Sequence, residues 1–476
     1  MSDDPQSVGQ SGHNGSGHAS SMLVGIGASA GGICALKQFF SRVTPGSGLT
    51  FVVILHLSPQ HESNLAELLQ VNTKIPVTQV TQTVRVQPEH VYVMPPSKYM
   101  VIEDGNINLI QPERIRGGHS SIDMFFRTLA DAYGKDAVAI VMSGTGADGT
   151  LGLRRVKEHG GFAIAQDPVE AEYDAMPLSA IETGLVDLIL PAAQMPDRLR
   201  ALGEGGQRLQ LPKEEEEKQE ERQSPDPEMA EVRAVLTLLR QRTGHDFTQY
   251  KGPTVRRRIA RRVQVHGLPD INSYLNLLGE HPEEVPALLR DLLITVTNFF
   301  RDRDAFESFN QEIVPKLFAG KGANDQVRVW VVGCATGEEA YSIAMLLCEY
   351  AARLNDPPRI QIFATDIDER AIMQARDCRY PHTIALDVTP ARLRQFFVEG
   401  DDHYRVKKEV RELILFAPHN ILRDPPFSEL DLVSCRNLLI YLNREMQDRT
   451  LATFHFALAP GACLFLGASE TAEGIP

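Results

Sequence analysis

A polar stretch in the middle of the chain, residues 204–231, limits how this sequence can fold. Four consecutive glutamates stand at positions 214–217, with prolines on both sides and few apolar side chains. Such a segment cannot bury enough apolar surface to offset the entropy lost on ordering, so it cannot belong to a core. The 476 residues also exceed what one ordinary core holds. We therefore predict two folded units, joined by an acidic linker over residues 201–231.

The first unit, residues 21–200, alternates short β-rich runs with segments of helical spacing. The runs MLVGIGAS, LTFVVILHL, HVYVMP, AVAIVMSG and GFAIAQD are typical of buried strands. Strands that alternate with helices predict an α/β fold with a doubly wound parallel sheet, covered by helices on both faces. An Asp-Gly pair between two alternating segments in MVIEDGNINLIQ predicts a β-hairpin.

The second unit changes character along its length. Residues 232–290 have only helical spacing, which predicts an all-helical subdomain. Over residues 291–476 the β/α alternation returns, with VRVWVVGC, RIQIFATDID and DLVSCR as predicted strands of a Rossmann-like domain. A patch at about residues 378–416, which contains TPARLRQFF, HYRVKK and ELILFAP, is predicted to be a small inserted β-subdomain.

Composition excludes several classes of function. The net charge of −14 argues against bulk binding of nucleic acid. The six cysteines never form a C-x-x-C pair and lie in apolar stretches, which favours buried free thiols over disulfides or zinc, so we expect no metal site. Residues 1–20 are polar and small, which predicts a disordered tail rather than a signal peptide. No apolar run is long enough to cross a bilayer, so we expect a cytoplasmic protein without membrane insertion.

Three polar residues directly follow predicted strands of the first unit. Ser29 lies at a strand-to-helix turn, His56 ends the strand FVVILH, and Asp148 lies in the glycine-rich loop after AVAIVM. Because the carboxyl ends of parallel strands meet at one edge, the three can converge as a Ser-His-Asp triad, with free backbone N–H groups of the turn available to an oxyanion. Taken singly, the turn could bind phosphate or cap a helix, the histidine could be a core residue, and the aspartate a turn residue.

The sequences GASAGG at 27–32 and GTGADG at 144–149, with the His56 strand between them, resemble the catalytic domain of the chemotaxis receptor methylesterases (CheB-type). The resemblance spans about residues 20–195. It implies Ser29 as nucleophile, His56 as general base and Asp148 as its orienting carboxylate, with a glutamate γ-methyl ester as substrate and methanol as leaving group. This sequence has only a short tail where those esterases usually carry a phosphoacceptor domain, and Thr145 where methionine is common.

A glycine-bearing loop and an acidic residue mark a second candidate site. Gly333 and Gly337 follow the strand VRVWVV, and Asp366 ends the next strand. In Rossmann-like folds such an acid accepts hydrogen bonds from ribose hydroxyls. A dinucleotide dehydrogenase is the competing interpretation, but the G-x-G-x-x-G spacing is absent, and Glu338 and Glu339 at the helix start would repel a pyrophosphate. A cationic ligand without phosphates, such as S-adenosylmethionine, fits better.

Four motifs of the second unit resemble those of the chemotaxis receptor glutamate methyltransferases (CheR-type), in the same order. They are TVTNFFRD at 295–302, GEE at 337–339, DID at 366–368 and CRNLLIY at 435–441. The resemblance runs from about residue 232 to the end and implies S-adenosylmethionine as methyl donor and S-adenosylhomocysteine as product. Arg301 and Tyr441 would face the reacting carboxylate. The implied cofactor contacts are Thr295 (where many relatives have asparagine), Thr297, Arg301, Glu339, Asp366, Asn420, Ile421, Arg436 and Asn437.

Five arginines crowd one predicted helix of the all-helical subdomain. They are Arg256, Arg257, Arg258, Arg261 and Arg262, spaced so that several share a helical face. A solvated face is the ordinary interpretation, and nucleic-acid binding would need an interleaved aromatic platform that is absent here. Given the resemblance, we expect these arginines to dock an acidic helix of a methyl-accepting receptor or an analogous signalling protein.

The two resemblances together predict a bifunctional enzyme that hydrolyses protein glutamate methyl esters and also forms them. One alternative is a sensor or scaffold module in which one or both sites are vestigial. Another is a Rossmann dehydrogenase joined to an unrelated hydrolase. The chain stops soon after a predicted late strand, so we expect further C-terminal sensor domains in a longer protein.

Overall fold

The computed structural model describes residues 22–55, 64–111, 120–208, 227–293, 296–401 and 403–472. His56, Thr295, residues 1–20 and most of the acidic linker lie outside the described residues. The roles expected of His56 and Thr295 therefore stay predictions.

Short apolar runs of the first unit form ten strands among the described residues. They are β1 (Leu23–Ala28), β2 (Thr50–Leu55), β3 (Val77–Gln79), β4 (Val84–Arg85), β5 (Val91–Val93), β6 (Tyr99–Glu103), β7 (Asn106–Ile110), β8 (Ala137–Val141), β9 (Phe162–Gln166) and β10 (Leu188–Leu190). Seven of them form one sheet in the order β10-β9-β8-β1-β2-β5-β3, and all its neighbours are parallel. The predicted parallel sheet is confirmed.

Helices cover both faces of this sheet. They are α1 (Gly32–Phe40), α2 (Leu65–Gln70), α3 (Ser121–Tyr133), α4 (Thr150–Glu158), α5 (Ala175–Glu182) and α6 (Met195–Arg208). Apolar side chains of α1, α2 and α6 pack in one core cluster, and those of α3, α4 and α5 pack in another. The last helix continues past residue 200, into the region expected to be linker.

The predicted hairpin is formed by β6 and β7, which pair antiparallel and are joined by Asp104 and Gly105. Both turn residues have positive φ, 49° and 73°, as a two-residue type I′ turn requires. The hairpin and β4 form a small separate sheet in the order β4-β7-β6.

The all-helical subdomain predicted at residues 232–290 is confirmed as four helices in the described part of the chain. They are α7 (Pro227–Thr243), α8 (Gly252–His266), α9 (Ile271–Glu280) and α10 (Glu284–Leu293). Their apolar faces share one core, in which Tyr274 and Leu288 are fully buried. The first of these helices begins before residue 232.

The second α/β domain is built on a parallel sheet. Its described strands are β11 (Gln326–Val332), β12 (Arg359–Asp366), β13 (Arg379–Pro381), β14 (Phe397–Glu399), β15 (His403–Val406), β16 (Ile414–Pro418), β17 (Leu430–Cys435) and β18 (Leu458–Leu466). Its described helices are α11 (Arg303–Ser308), α12 (Val314–Phe318), α13 (Glu338–Ala351), α14 (Glu369–Asp377), α15 (Pro390–Phe396), α16 (Lys408–Arg411) and α17 (Arg444–Ala457). The main sheet has the order β16-β12-β11-β17-β18, with every neighbour parallel.

The inserted β-subdomain is smaller than predicted. Strands β13, β15 and β14 form a three-stranded antiparallel sheet of their own. The run ELILFAP, expected to belong to the insertion, is instead β16, which pairs with β12 at the edge of the main sheet. Its short apolar pattern suits either sheet, because pattern does not reveal the pairing partner.

The two units pack against each other over a charged interface. Arg127 of α3 makes a bidentate pair with Asp387 at 2.9 and 3.0 Å. Arg154 of α4 donates to Thr336 and Glu338 at 3.1 and 3.2 Å. Apolar contact accompanies these pairs, since Leu151 of α4 packs in the core cluster of the second α/β domain. None of the helices within the described ranges combines the length and the hydrophobicity that a transmembrane segment requires.

The arginine helix, α8, lies within this interface, which corrects the expectation of a free docking surface. Arg258, Arg261 and Arg262 are buried, with 3–5% of each residue exposed. Arg258 donates to the carbonyl oxygens of Lys157 and Glu158 at 3.1 and 3.3 Å. Arg262 makes a bidentate pair with Glu284, at 2.7 Å for each bond. Arg256 and Arg257 are partly exposed, so a role for them in docking stays a prediction.

A buried network of four charged side chains lies at the centre of the interface. Lys157 of α4 pairs with Asp187 at 2.7 Å and with Asp291 of α10 at 3.0 Å. Arg261 of α8 pairs with Asp291 at 2.7 Å and also with Asp187. No more than 8% of any of the four side chains is exposed. Arg262 lies 3.8 and 3.9 Å from the same two aspartates and pairs with Glu284 at 2.7 Å, so a third positive and a third negative charge join these four.

Candidate active sites

The first candidate site lies where three adjacent strands end. β1 lies between β8 and β2 in the sheet, with Gly27 opposite Val141 and Ala28 opposite Leu55. Ser29 follows β1, and Asp148 lies in the loop that follows β8. His56 follows Leu55 in the sequence, outside the described residues. The sheet order therefore supports the expectation that the three chain segments meet at one edge.

Glycines allow the loops after β1 and β8 to approach closely. The backbone N–H of Ser29 donates to the carbonyl of Ser143 at 3.0 Å. Gly31 has a φ of 72°, and a Cβ there would lie 2.6 Å from the Ser143 hydroxyl. A Cβ on Gly144 would lie 2.9 Å from the Cβ of Ser29. The partly buried Ser29 side chain thus lies beside the loop that leads to Asp148.

Asp148 is held by the start of α3. Its carboxylate accepts hydrogen bonds from the backbone N–H groups of Ile122 and Asp123, at 3.1 and 3.0 Å. The residue is 8% exposed. Two backbone donors at a helix N-terminus fix the orientation of the carboxylate, which the orienting member of a triad requires.

A second carboxyl group, Asp123, lies behind Asp148 and was not expected from the sequence. Burial, and then the charge of Asp148, raise the pKa of Asp123 well above its ordinary value. Its Oδ1 accepts from the Gly152 backbone N–H at 2.7 Å, while its buried Oδ2 has no partner among the described residues. Burial therefore favours the neutral form of Asp123, which limits charge repulsion next to Asp148.

The second candidate site is a cavity of about 1070 Å³, including its open mouth, at the carboxyl ends of β11, β12 and β17. Apart from Thr295, which lies outside the described residues, every site residue expected in the second unit lines it. These are Thr297, Arg301, Glu339, Asp366, Asn420, Ile421, Arg436, Asn437 and Tyr441. The fold therefore brings together residues from all four motifs.

Asp366 is a partly buried carboxylate at the wall of this cavity. Its two oxygens accept from the backbone N–H groups of Ala335 and Asp368, at 2.8 and 2.9 Å. Burial raises its pKa to about 6. A carboxylate offers about four acceptor positions, so these two bonds leave room for two hydroxyl donors. Such an acid fits the ribose of a nucleoside ligand.

Arg436 connects the walls of the cavity. Its side chain has no exposed surface, and it donates to Asp302 at 2.7 Å and to the Arg301 carbonyl at 2.9 Å. Its other terminal nitrogen lies 3.4 Å from Glu339, whose carboxylate also accepts from the Ser434 hydroxyl at 2.7 Å. Burial raises the pKa of Glu339. Arg436 therefore holds the TVTNFFRD segment and Glu339 in fixed positions around the cavity.

Arg301 and Tyr441 lie at the same part of the cavity. One terminal nitrogen of Arg301 donates to the Val296 carbonyl at 3.0 Å, and the other is paired with Glu158 of the first unit. Burial raises the pKa of Tyr441, and the positive charges of Arg258 and then Arg301 act in the opposite direction. A guanidinium and a phenol together offer donors to a carboxylate, which is the arrangement a carboxylate-binding position needs.

The helical subdomain contributes a wall of the cavity that sequence reasoning missed. His245, Phe247, Tyr250, Leu292 and Leu293 all line it. The rings of Phe247 and Tyr250 lie 5.0 Å apart, between α7 and α8. Burial, and then the charge of Asp366, raise the pKa of Tyr250 to about 12. The two aromatic residues in the run HDFTQY could have indicated this wall, because a flat ligand packs against aromatic rings.

Comparison with known proteins assigns each part of the chain to a family model. Residues 24–199 match the model described as CheB methylesterase. Residues 230–293 match CheR methyltransferase, all-alpha domain, and residues 295–476 match CheR methyltransferase, SAM binding domain.

Individual relatives match either most of the chain or one unit of it. The "Uncharacterized 104.1 kDa protein in hypE 3'region" of Rhodobacter capsulatus is 39% identical over 429 residues, which are 85% of this chain and 44% of that protein. The chain thus spans less than half the length of this relative. The chemotaxis protein methyltransferase of Escherichia coli is 33% identical over 252 residues, 51% of this chain and 84% of its own. The crystal structure of the Thermotoga maritima CheB methylesterase catalytic domain is 29% identical, covers 38% of this chain and 99% of its own, and has a TM-score of 0.37.

Proposed function

The chain belongs to the CheB methylesterase family in its first unit and to the CheR methyltransferase family in its second, and on that basis we propose a bifunctional enzyme. The first unit hydrolyses γ-methyl esters of protein glutamates. The second transfers methyl groups from S-adenosylmethionine to protein glutamate carboxylates. The methyl-accepting partner is a chemotaxis receptor or an analogous signalling protein. The cytoplasmic location expected from the sequence stays a prediction.

In the first unit, Ser29 is the proposed nucleophile. Its hydroxyl oxygen attacks the ester carbonyl carbon while His56 takes the proton, and methanol leaves with a proton returned by the same histidine. Water then hydrolyses the acyl-enzyme and restores the glutamate carboxylate. The two backbone bonds to Asp148 support its role as the group that orients His56.

In the second unit, S-adenosylmethionine supplies an electrophilic methyl group when it is bound. The chain binds the nucleoside through Asp366 and the aromatic wall, and it positions the acceptor glutamate through Arg301 and Tyr441. The glutamate oxygen forms a bond to the methyl carbon as the carbon–sulfur bond breaks, leaving S-adenosylhomocysteine and a methyl ester. Glutamate is already ionised at neutral pH, so alignment and exclusion of water suffice. The observation that carries this proposal is the single cavity lined by residues of all four motifs.

Replacing Asp366 with alanine is expected to raise the dissociation constant for S-adenosylmethionine by at least about tenfold. The reason is the loss of charge-assisted hydrogen bonds to the ribose, worth about 1.5–3 kcal/mol. Calorimetric titration of the full chain measures this change. Asp356→Ala, an acid beside Gly322 and outside the cavity lining, is the matched control and should bind like the parent. Parent-like affinity of Asp366→Ala, or tight binding of a nicotinamide dinucleotide instead, would remove the cofactor assignment.

Cofactor affinity is also expected to depend on pH. With a pKa of about 6, Asp366 is protonated at lower pH and then offers fewer acceptor positions to the ribose. Binding favours the ionised form, so affinity should fall as pH drops below about 6, by up to about tenfold for each unit, and should level off above it. Titrations from about pH 5 to about pH 8 test this. Asp366→Asn should lose the dependence, and an identical dependence in that variant would assign it to another group.

A further inference from the structure

Glu158, the last residue of α4, extends from the first unit to Arg301, which lines the methyltransferase cavity. Its Oε1 is paired with Arg301, and its Oε2 accepts from Arg155 at 2.7 Å. Only 12% of the Glu158 side chain and 17% of the Arg301 side chain are exposed. A glutamate carboxylate of the esterase unit is therefore bound to the arginine that is proposed to position an acceptor glutamate.

The surroundings of Glu158 match those proposed for the acceptor. Tyr441 is close enough for the charge of Glu158 to raise its pKa further, after burial has done so. Arg301 and Tyr441 both line the cavity that holds Asp366. Thus the same three elements, a carboxylate, a guanidinium and a phenol, meet beside the nucleoside cavity. They are the elements that recognition of a substrate glutamate would use.

The backbone of Glu158 is also held in place by the second unit. Arg258 donates to the carbonyl oxygens of Lys157 and Glu158, where a positive charge is favourable at a helix C-terminus. The adjacent Lys157 belongs to the buried network with Asp291. The backbone position of Glu158 is therefore set by contacts made independently of Arg301. Glu158 is unlike a surface side chain that pairs with the nearest available charge.

Resting on the proposed function, we propose that Glu158 occupies the place of the acceptor glutamate carboxylate, so that the esterase unit and the methyl-accepting protein compete for the methyltransferase site. Both oxygens of Glu158 are engaged by arginines, which lowers their availability for attack on a methyl group and makes the residue a blocking group. A substrate glutamate gains access to Arg301 only in molecules whose Glu158 carboxylate has left this arginine. Its apparent affinity is then reduced by the fraction of molecules in which Glu158 and Arg301 stay paired.

The test compares Glu158→Gln and Glu158→Ala with Asp387→Asn in the full chain. The control variant breaks another ion pair between the units, the one with Arg127, which involves no residue of the cavity lining.

The probe is a fluorescent helical peptide with one central glutamate, and its partner peptide has glutamine at that position. Both Glu158 variants should bind the glutamate peptide at least about tenfold more tightly than the parent. Binding of the glutamine peptide should not change. S-adenosylmethionine affinity, measured in parallel, should stay that of the parent and shows that each variant is folded.

Three results would overturn the proposal. One is parent-like affinity of both Glu158 variants for the glutamate peptide. Another is an equal gain in Asp387→Asn, which would assign the effect to general weakening of the interface. The last is a methyl ester on Glu158 itself, found by mass spectrometry after incubation with S-adenosylmethionine, which would make the residue an acceptor. If peptide affinity rises as expected but no variant transfers a methyl group to the peptide, the competition by Glu158 is supported and the proposed methyltransferase function is wrong.

Discussion

Replacing Ser29 with alanine should lower the hydrolysis of protein glutamate methyl esters by about three to six orders of magnitude. Nucleophile and base act as one unit in a triad, so loss of either removes most of the rate. Methanol released from a methylated receptor fragment measures the effect. Methyl transfer by the same variant should equal that of the parent, because Ser29 does not line the second cavity.

The neighbouring Ser143 provides a matched control for this prediction. Its hydroxyl donates to the Ala30 carbonyl and accepts from the Tyr173 N–H, each at 2.9 Å, so it supports the loops without being the proposed nucleophile. Ser143→Ala should slow hydrolysis by no more than about tenfold, the equivalent of about one hydrogen bond. Equal losses in both serine variants, or near-parent rates in Ser29→Ala, would show that the triad assignment is wrong.

The second large effect is expected at Asp291. Its replacement by alanine would leave Lys157 and Arg261 sharing only Asp187 in a buried site, and removal of one partner from a buried ion pair costs about 3–5 kcal/mol. Burial alone would raise the pKa of Asp291, but the charges of Lys157, Arg261 and Arg262 outweigh it and hold that pKa well below its ordinary value. The free energy of unfolding in urea should fall accordingly.

Asp197→Ala is the control for this stability measurement. Asp197 pairs with Arg200 at 3.3 Å, but 70% of its side chain is exposed. Exposed pairs contribute about 0–1 kcal/mol, so this variant should unfold almost as the parent does. A similar small change in Asp291→Ala would mean that water, rather than the two aspartates, compensates the buried cations.

Local pattern explains why much of the fold could be predicted. Strands such as β1 and β12 are short apolar runs that end directly at a polar residue, Ser29 after β1 and Asp366 at the end of β12. In a parallel sheet those ends share an edge, so candidate site residues follow from strand positions alone. The order of the strands in the sheet, however, depends on pairing between distant segments, which explains why β16 was assigned to the insertion.

The burial of charged side chains in the interface could not be predicted from the sequence. A run of arginines on a helix is usually solvated, and nothing in the local sequence of Arg258 or Arg261 indicates otherwise. Their partners lie far away in the chain, at the carbonyl of Lys157 and at Asp187. The same distance hides Glu158, which is one charged residue among several at a helix end. These charges are buried by contacts between the two units, so their burial follows only from the three-dimensional structure.

The number of residues in helix α4 is constrained by the two positions that the helix connects. It starts just after the loop that carries Asp148 and ends at Glu158, so one helical segment runs from the esterase site to Arg301 of the methyltransferase cavity. Each residue of an α-helix advances it by about 1.5 Å and turns it by about 100°. One residue inserted between these two positions would turn Glu158 away from Arg301 while leaving Asp148 in place. Substitutions along α4 can therefore preserve both Asp148 and the pair between Glu158 and Arg301. An insertion or deletion within α4 would displace one of the two.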